Sequence, residues 1–99
     1  MNTMNYKKTS QKLEIELTGD FNLKAVRKIS DLLGDRSELF INLKKARFVN
    51  SKAIIFLHKL MQGKPRVVVR LKNPPKIFFE LLQTLGLHRI WELDEIVEP

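Results

Sequence analysis

Leu13-Glu14-Ile15-Glu16-Leu17 alternates apolar and charged residues without a break, the period of a strand with one dry face and one wet face. Asn5 to Thr9 is short and polar and predicts an edge strand, turned back at Ser10-Gln11 into a hairpin. Gly19-Asp20 predicts the end of the second strand. Leu23, Val26, Ile29 and Leu33 then recur at helical spacing, with Lys24, Arg27, Lys28 and Asp31 between them. Asn22 suits the cap of that helix and Gly34 its stop. Leu39 to Leu43 predicts a mostly apolar strand, followed by a basic loop from Lys44 to Arg47. A second helix is expected over about Ser51 to Met61, with Ala53, Ile54, Leu57, Leu60 and Met61 as its apolar face. Val67-Val68-Val69 predicts a fully buried strand. Lys72-Asn73-Pro74-Pro75 is a turn, and Pro75 suits the first position of a third helix. Ile77, Phe78, Leu81, Leu82 and Leu85 supply the buried face of that helix, with Phe79 at the margin. Gly86 closes it and Leu87 makes the apolar contact that follows such a stop. Ile90-Trp91 and Ile96-Val97 predict a short tail docked on the core.

Strands alternating with helices predict an α/β sandwich: a mixed, mainly parallel sheet with an N-terminal antiparallel hairpin, packed against amphipathic helices. The 99 residues suffice for one small domain, 1–99, and not for two. Without cysteine there is neither a disulfide framework nor a thiolate metal site, which suits a reducing compartment. The longest wholly apolar run, Ala53 to Leu57, is far too short to span a bilayer. Met1 to Lys12 holds no apolar stretch of the kind a secretory signal needs, so a cytoplasmic domain is expected.

Charge adds something that the apolar pattern does not. The net charge is +7, and from Leu39 through Phe79 there are ten Lys or Arg and no Asp or Glu. The middle of the chain is therefore expected to present a basic surface. That surface has three readings: a solvated face, a dock for an acidic partner, or a nucleic-acid patch. The last is disfavoured, because the cations are scattered over several elements and no exposed aromatic platform is evident.

Catalytic chemistry finds few residues to use. There is no Gly-rich phosphate loop. His58 and His88 have no neighbouring ligands of metal-site spacing, and Asp20, the one acid near a predicted loop beside the second helix, makes a poor case for general acid–base chemistry. No catalytic residue, metal or cofactor is assigned, and a binding protein is expected rather than an enzyme. Trp91 and Phe78-Phe79 are better explained by core packing than by base stacking. The remaining feature is Asn50-Ser51 at the start of the second helix. A side-chain oxygen there caps the orphan amides of the first turn. The same helix start attracts anions, so a hydroxyl fixed on it is also a place for a phosphate. Both readings of Ser51 stand.

Taken together, these segments resemble a STAS domain, the module of bacterial anti-sigma factor antagonists and of sulphate-transporter tails. Leu17-Thr18-Gly19-Asp20-Phe21-Asn22 is similar to the family's strand ending in a Gly-x-Leu-Asp turn. Phe48-Val49-Asn50-Ser51-Lys52-Ala53-Ile54 resembles its Phe-Ile-Asp-Ser-x-Gly signature, and Asn73-Pro74-Pro75 to Leu85-Gly86-Leu87 its closing loop and helix. The resemblance covers nearly the whole chain. It implies a regulatory module that binds an anti-sigma factor which is also a serine kinase, with Ser51 at the position of the phosphorylated serine. Asp20, Phe21 and Asn22 and the face from Asn50 through Ser51, Lys52 and Ala53 to Ile54 would contact the partner. With Lys45 and Arg47 beside them, an acidic face on that partner is expected, the chain being a monomer or weak dimer. Two positions depart from the signature. Asn50 replaces its Asp, removing a charge, and Ala53 replaces its Gly, adding a methyl expected to keep a partner off the backbone. The resemblance also admits an adaptor that is never phosphorylated, as beside a lipid-transport ATPase or in stress-signalling assemblies.

Overall fold

A computed structural model describes residues 3–98. Strict alternation in Leu13 to Leu17 places three leucine or isoleucine side chains on one face of strand β2 (Lys12–Phe21). Two of the three are matched across the sheet, while Leu17 falls at an irregularity in the ladder. Leu13 lies beside Leu39 and Ile15 beside Ile41 of β3 (Glu38–Val49), and those lie beside Val69 and Leu71 of β4 (Val68–Lys72). All seven are buried, forming the apolar floor on which the helices pack. α1 (Leu23–Leu33) packs on β2 and α2 (Ser51–Gln62) on β4, while α3 (Lys76–Thr84) lies against α2 and β3. β1 (Thr3–Lys8) pairs antiparallel with β2, in register from Thr3–Thr18 to Lys8–Leu13. The other pairings are parallel, in the spatial order β1-β2-β3-β4-β5, the last being Val97–Glu98. This is the mixed α/β sheet expected, with its N-terminal hairpin.

Several local expectations are corrected. β2 does not stop at Gly19-Asp20 but runs to Phe21, because Gly19 takes a positive φ of 101° at an irregularity in the ladder. Glycine inside a strand marks a bulge as readily as an end. Lys44 to Arg47 is not a loop. β3 continues through it to Val49, using two more residues than β2 between the Glu16–Asn42 and Asp20–Phe48 pairs. Those extra residues change the burial period. Leu39, Ile41 and Leu43 are buried at every second position, and Leu43, Ala46 and Val49 at every third. An alternation template fails on such a segment, although the strand is intact. Val67 to Val69 is not fully buried either. β4 begins at Val68, whose side chain faces the uncovered side of the sheet, and Val67 is half-buried. In α1 the exposed Leu23 gives its core place to Ala25. Pro75 is the N-cap of α3 rather than its first residue.

The tail docks as expected at Trp91 and Ile96, whereas Ile90 is exposed. It also adds β5 (Val97–Glu98) beside β4, after a 3-10 turn (Leu87–Arg89) and the short α4 (Leu93–Ile96). The indole of Trp91 packs 6.0 Å from the Phe78 ring, centroid to centroid. Its Nε1–H donates to Nδ1 of His58 on α2, 3.0 Å away. A buried indole N–H needs such an acceptor. His58→Leu should therefore cost about 1–3 kcal/mol, the penalty of a buried donor left unpaired. The double variant His58→Leu/Trp91→Phe, which removes donor and acceptor together, should lose less. Urea unfolding of the two variants measures the difference.

Candidate functional site

Parallel pairing brings the C-terminal ends of β2 and β3 to the same end of the sheet, and each strand turns directly into a helix. The two turns are tied together: the Asn50 amide donates to the Phe21 carbonyl at 2.9 Å. Each helix has an asparagine cap. Asn22 Oδ1 accepts from the Ala25 amide at 3.0 Å, and Asn50 Oδ1 from the Lys52 amide at 2.8 Å. The starts of α1 and α2, with their outward amides and positive dipole ends, thus sit side by side.

This geometry divides the Asn50-Ser51 pair. Asn50 makes the cap. Ser51 is the first helical residue and half-buried, and among the described residues its hydroxyl makes no hydrogen bond. Asparagine does here what the signature's aspartate would do as a cap, without the charge. Ala53, in contrast, is wholly buried. Its methyl points into the core and stands in no partner's way, so the expected obstruction does not exist. Ile54 and Phe21 are likewise 0% exposed; they hold the site from beneath and cannot be contact residues. The accessible part of the predicted surface is Asp20, Asn22, Lys45, Arg47, Asn50, Ser51 and Lys52.

The basic character is real and partly offset. Lys45 Nζ lies 3.6 Å from Glu16 and Arg47 Nη2 lies 3.9 Å from Asp20, both pairs well exposed. Such pairs contribute little stability, at most about 1 kcal/mol. Lys44 and Lys52 are exposed and make no ion pair among the described residues. Three large apolar side chains are exposed on the same elements: Leu23 at the start of α1, Phe48 near the end of β3 and Ile55 in the second turn of α2. Sequence reasoning placed none of the three on the surface. Leu23 belongs to an apolar pattern read as core, Ile55 lies outside the apolar face read for the second helix and is given no side by it, and the side on which Phe48 lies depends on the bulges.

The opposite face of the sheet carries a shallow depression of about 600 Å³, lined by Glu14, Glu16, Phe40, Asn42, Arg70 and Glu98 among others. It lies on the far side of the sheet from the helices and holds none of the chemistry at Ser51. Phe40 is half-buried, with Lys12 Nζ 4.5 Å from its ring centroid, and carboxylates interleave with the cations around it. A nucleic-acid platform needs open aromatic rings and an uninterrupted positive field, and this face provides neither. Trp91 and Phe78 are buried. His88 is exposed in the 3-10 turn, away from His58 on α2. Among the described residues no helix is long and apolar enough to cross a membrane.

The separation of roles predicts two different outcomes for adjacent residues. Asn50→Ala should lower stability by about 0.5–2 kcal/mol through loss of the cap. Ser51→Ala should stay within about 0.5 kcal/mol of the wild type, as a position with no side-chain bond to lose. Chemical denaturation of both variants makes the comparison.

No protein-family profile matches the chain, and no curated protein matches it in sequence. Solved structures match it. The anti-sigma factor antagonist SpoIIAA in its unphosphorylated form is similar at a TM-score of 0.70 and 17% identity, over 97% of this chain and 86% of that chain. An anti-sigma factor antagonist from Mycobacterium paratuberculosis gives 0.69 at 14% identity, over 100% of this chain and 86% of that one. The Bacillus cell fate determinant SpoIIAA in its phosphorylated form gives 0.63 at 16%, over 97% and 89%. The likeness extends over the whole sheet and its helices, and on it this chain has the fold of the anti-sigma factor antagonists, the STAS fold read from its sequence segments.

Proposed function

We propose that the protein is an anti-sigma factor antagonist, a binding module rather than an enzyme, which acts in the cytoplasm. It binds an anti-sigma factor that is also a serine kinase, and phosphorylation of Ser51 switches the binding off. The observation that carries this reading is the state of Ser51. It is half-buried at the first position of α2, relieved of capping by Asn50, and its hydroxyl has no partner among the described residues. A hydroxyl in that position is reachable without unfolding the helix. The fold, shared with antagonists whose structures are described as unphosphorylated and phosphorylated, supports the same reading.

The switch would be electrostatic. A phosphate brings about −1.5 to −2 charges to a surface built around a neutral hydroxyl. On binding, that charge must be desolvated against a partner that is itself acidic. Lys52, beside Ser51 in the chain, would offset part of the repulsion. Asn50, unlike an aspartate, adds no repulsion of its own. The switch is therefore weaker than one set in an acidic signature.

Intact mass after incubation with the cognate kinase and ATP is the direct test. One phosphate on the wild type and none on Ser51→Ala is expected. An unshifted wild type, or a shift that survives Ser51→Ala, removes the switch and leaves the constitutive adaptor.

The cations give a second test. Lys45→Glu/Lys52→Glu should slow association with the partner at low salt and flatten its salt dependence, since steering is screened over about 8–10 Å. It should also enlarge the affinity loss on phosphorylation. An association rate equal to the wild type would mean that these lysines only keep the surface solvated.

A further inference from the structure

β3 outruns its neighbour on one side. β4 pairs with it from Glu38–Val68 to Asn42–Lys72 and then turns away through Asn73, Pro74 and Pro75. From Leu43 to Val49, β3 is paired with β2 alone, and among the described residues no strand lies along its other edge. The Lys44 amide already donates to Asn42 Oδ1 at 3.0 Å; beyond it, such an edge leaves backbone N–H and C=O groups that a further extended chain can pair. Cations and bulges commonly guard edges of this kind, and Lys44, Lys45 and Arg47 with the two irregularities fit that role. Guarding does not explain Phe48. Its side chain is 50% exposed near the end of the segment, where a guard would place another polar residue.

The charge selects the occupant. A second copy paired edge to edge would bring the cations of both chains together, and like charges across strands are destabilising. Nucleic acid has no peptide groups to extend a ladder. An acidic extended segment offers both the amides and the complementary charge. Lys44 and Lys52 make no ion pair among the described residues, and Lys45 and Arg47 are held only by long, exposed pairs.

We infer that the Leu43–Val49 edge of β3 takes an acidic, extended segment of a partner protein as an added strand, with an apolar side chain of that segment seated on Phe48. The inference rests on the reading that this end of the molecule is the partner surface, and it adds the mode of engagement.

The probe is a capped eight-residue peptide of alternating valine and glutamate, added to the full chain up to millimolar concentration. Its twin carries N-methyl groups at alternate residues, which removes the amides of one edge and keeps the charge. Amide hydrogen exchange, read by NMR, reports the site. Slower exchange within 44–48 with the parent peptide is expected. The twin, and the parent peptide on Phe48→Ala, should each bind about tenfold more weakly, equivalent to about 1.4 kcal/mol. Phe48 is exposed, so that variant should fold as the wild type does. Unchanged exchange within 44–48 at the highest peptide concentration, or a twin that binds as well as its parent, overturns the inference. Perturbation confined to Ser51 and Lys52 also overturns it while leaving the proposed function intact. That function fails separately, through the mass measurement on Ser51.

Discussion

The parallel pairing of β2 with β3 is the constraint on which the rest of this structure depends. It carries the densest set of contacts between elements, joining residues far apart in the chain whose alignment no local preference could set. It aligns Leu13 with Leu39 and Ile15 with Ile41, which gives the helices their apolar floor. It also sends two strands past the end of β4, so that two turns meet and Asn50 can donate to Phe21. Both helix starts, the cations of β3 and Ser51 are neighbours because of that one ladder.

Within the site the labour is divided among adjacent residues. Phe21, Ala53 and Ile54 are wholly buried and fix the position of the turns. Asn50 satisfies an orphan amide of α2. Ser51 is left with neither task. A residue that stabilises nothing can change its charge without unfolding what surrounds it, which is a physical requirement for any covalent switch at a helix start. Alanine at 53 fits the same division, since it favours the helix over glycine by about 1 kcal/mol and its methyl fills core volume. The departures from the signature thus change the electrostatics at Asn50 and the packing at Ala53, and they leave the hydroxyl where it was.

Much of the fold was legible in the sequence. The alternation in Leu13 to Leu17, the helical spacing in Leu23 to Leu33, the Asn22 cap and the Gly86 stop are each local, and each formed where its pattern placed it. Local patterns suffice there because each element has one apolar face and meets one core. Ser51 at the head of α2 was legible for the same reason, as was the basic surface around it.

What the tertiary structure alone decided lies where one residue's environment depends on a distant strand. The bulges between β2 and β3 turned an apparent loop into strand, changed its burial period from two to three and put Phe48 outside. Bulges are set by the register of two strands, and no window along one of them contains that register. Burial separated Phe21, Ala53 and Ile54 from the contact surface for a like reason, because a motif gives spacing without saying which side a helix or sheet covers. The free edge of β3 follows from where β4 stops. The sequence by itself determined most of the elements, the Asn22 cap and the charge they carry; how far β3 runs, which edges stay open and which signature residues face outward were decided by the pairing of segments tens of residues apart, since exposure is a property of neighbours in space.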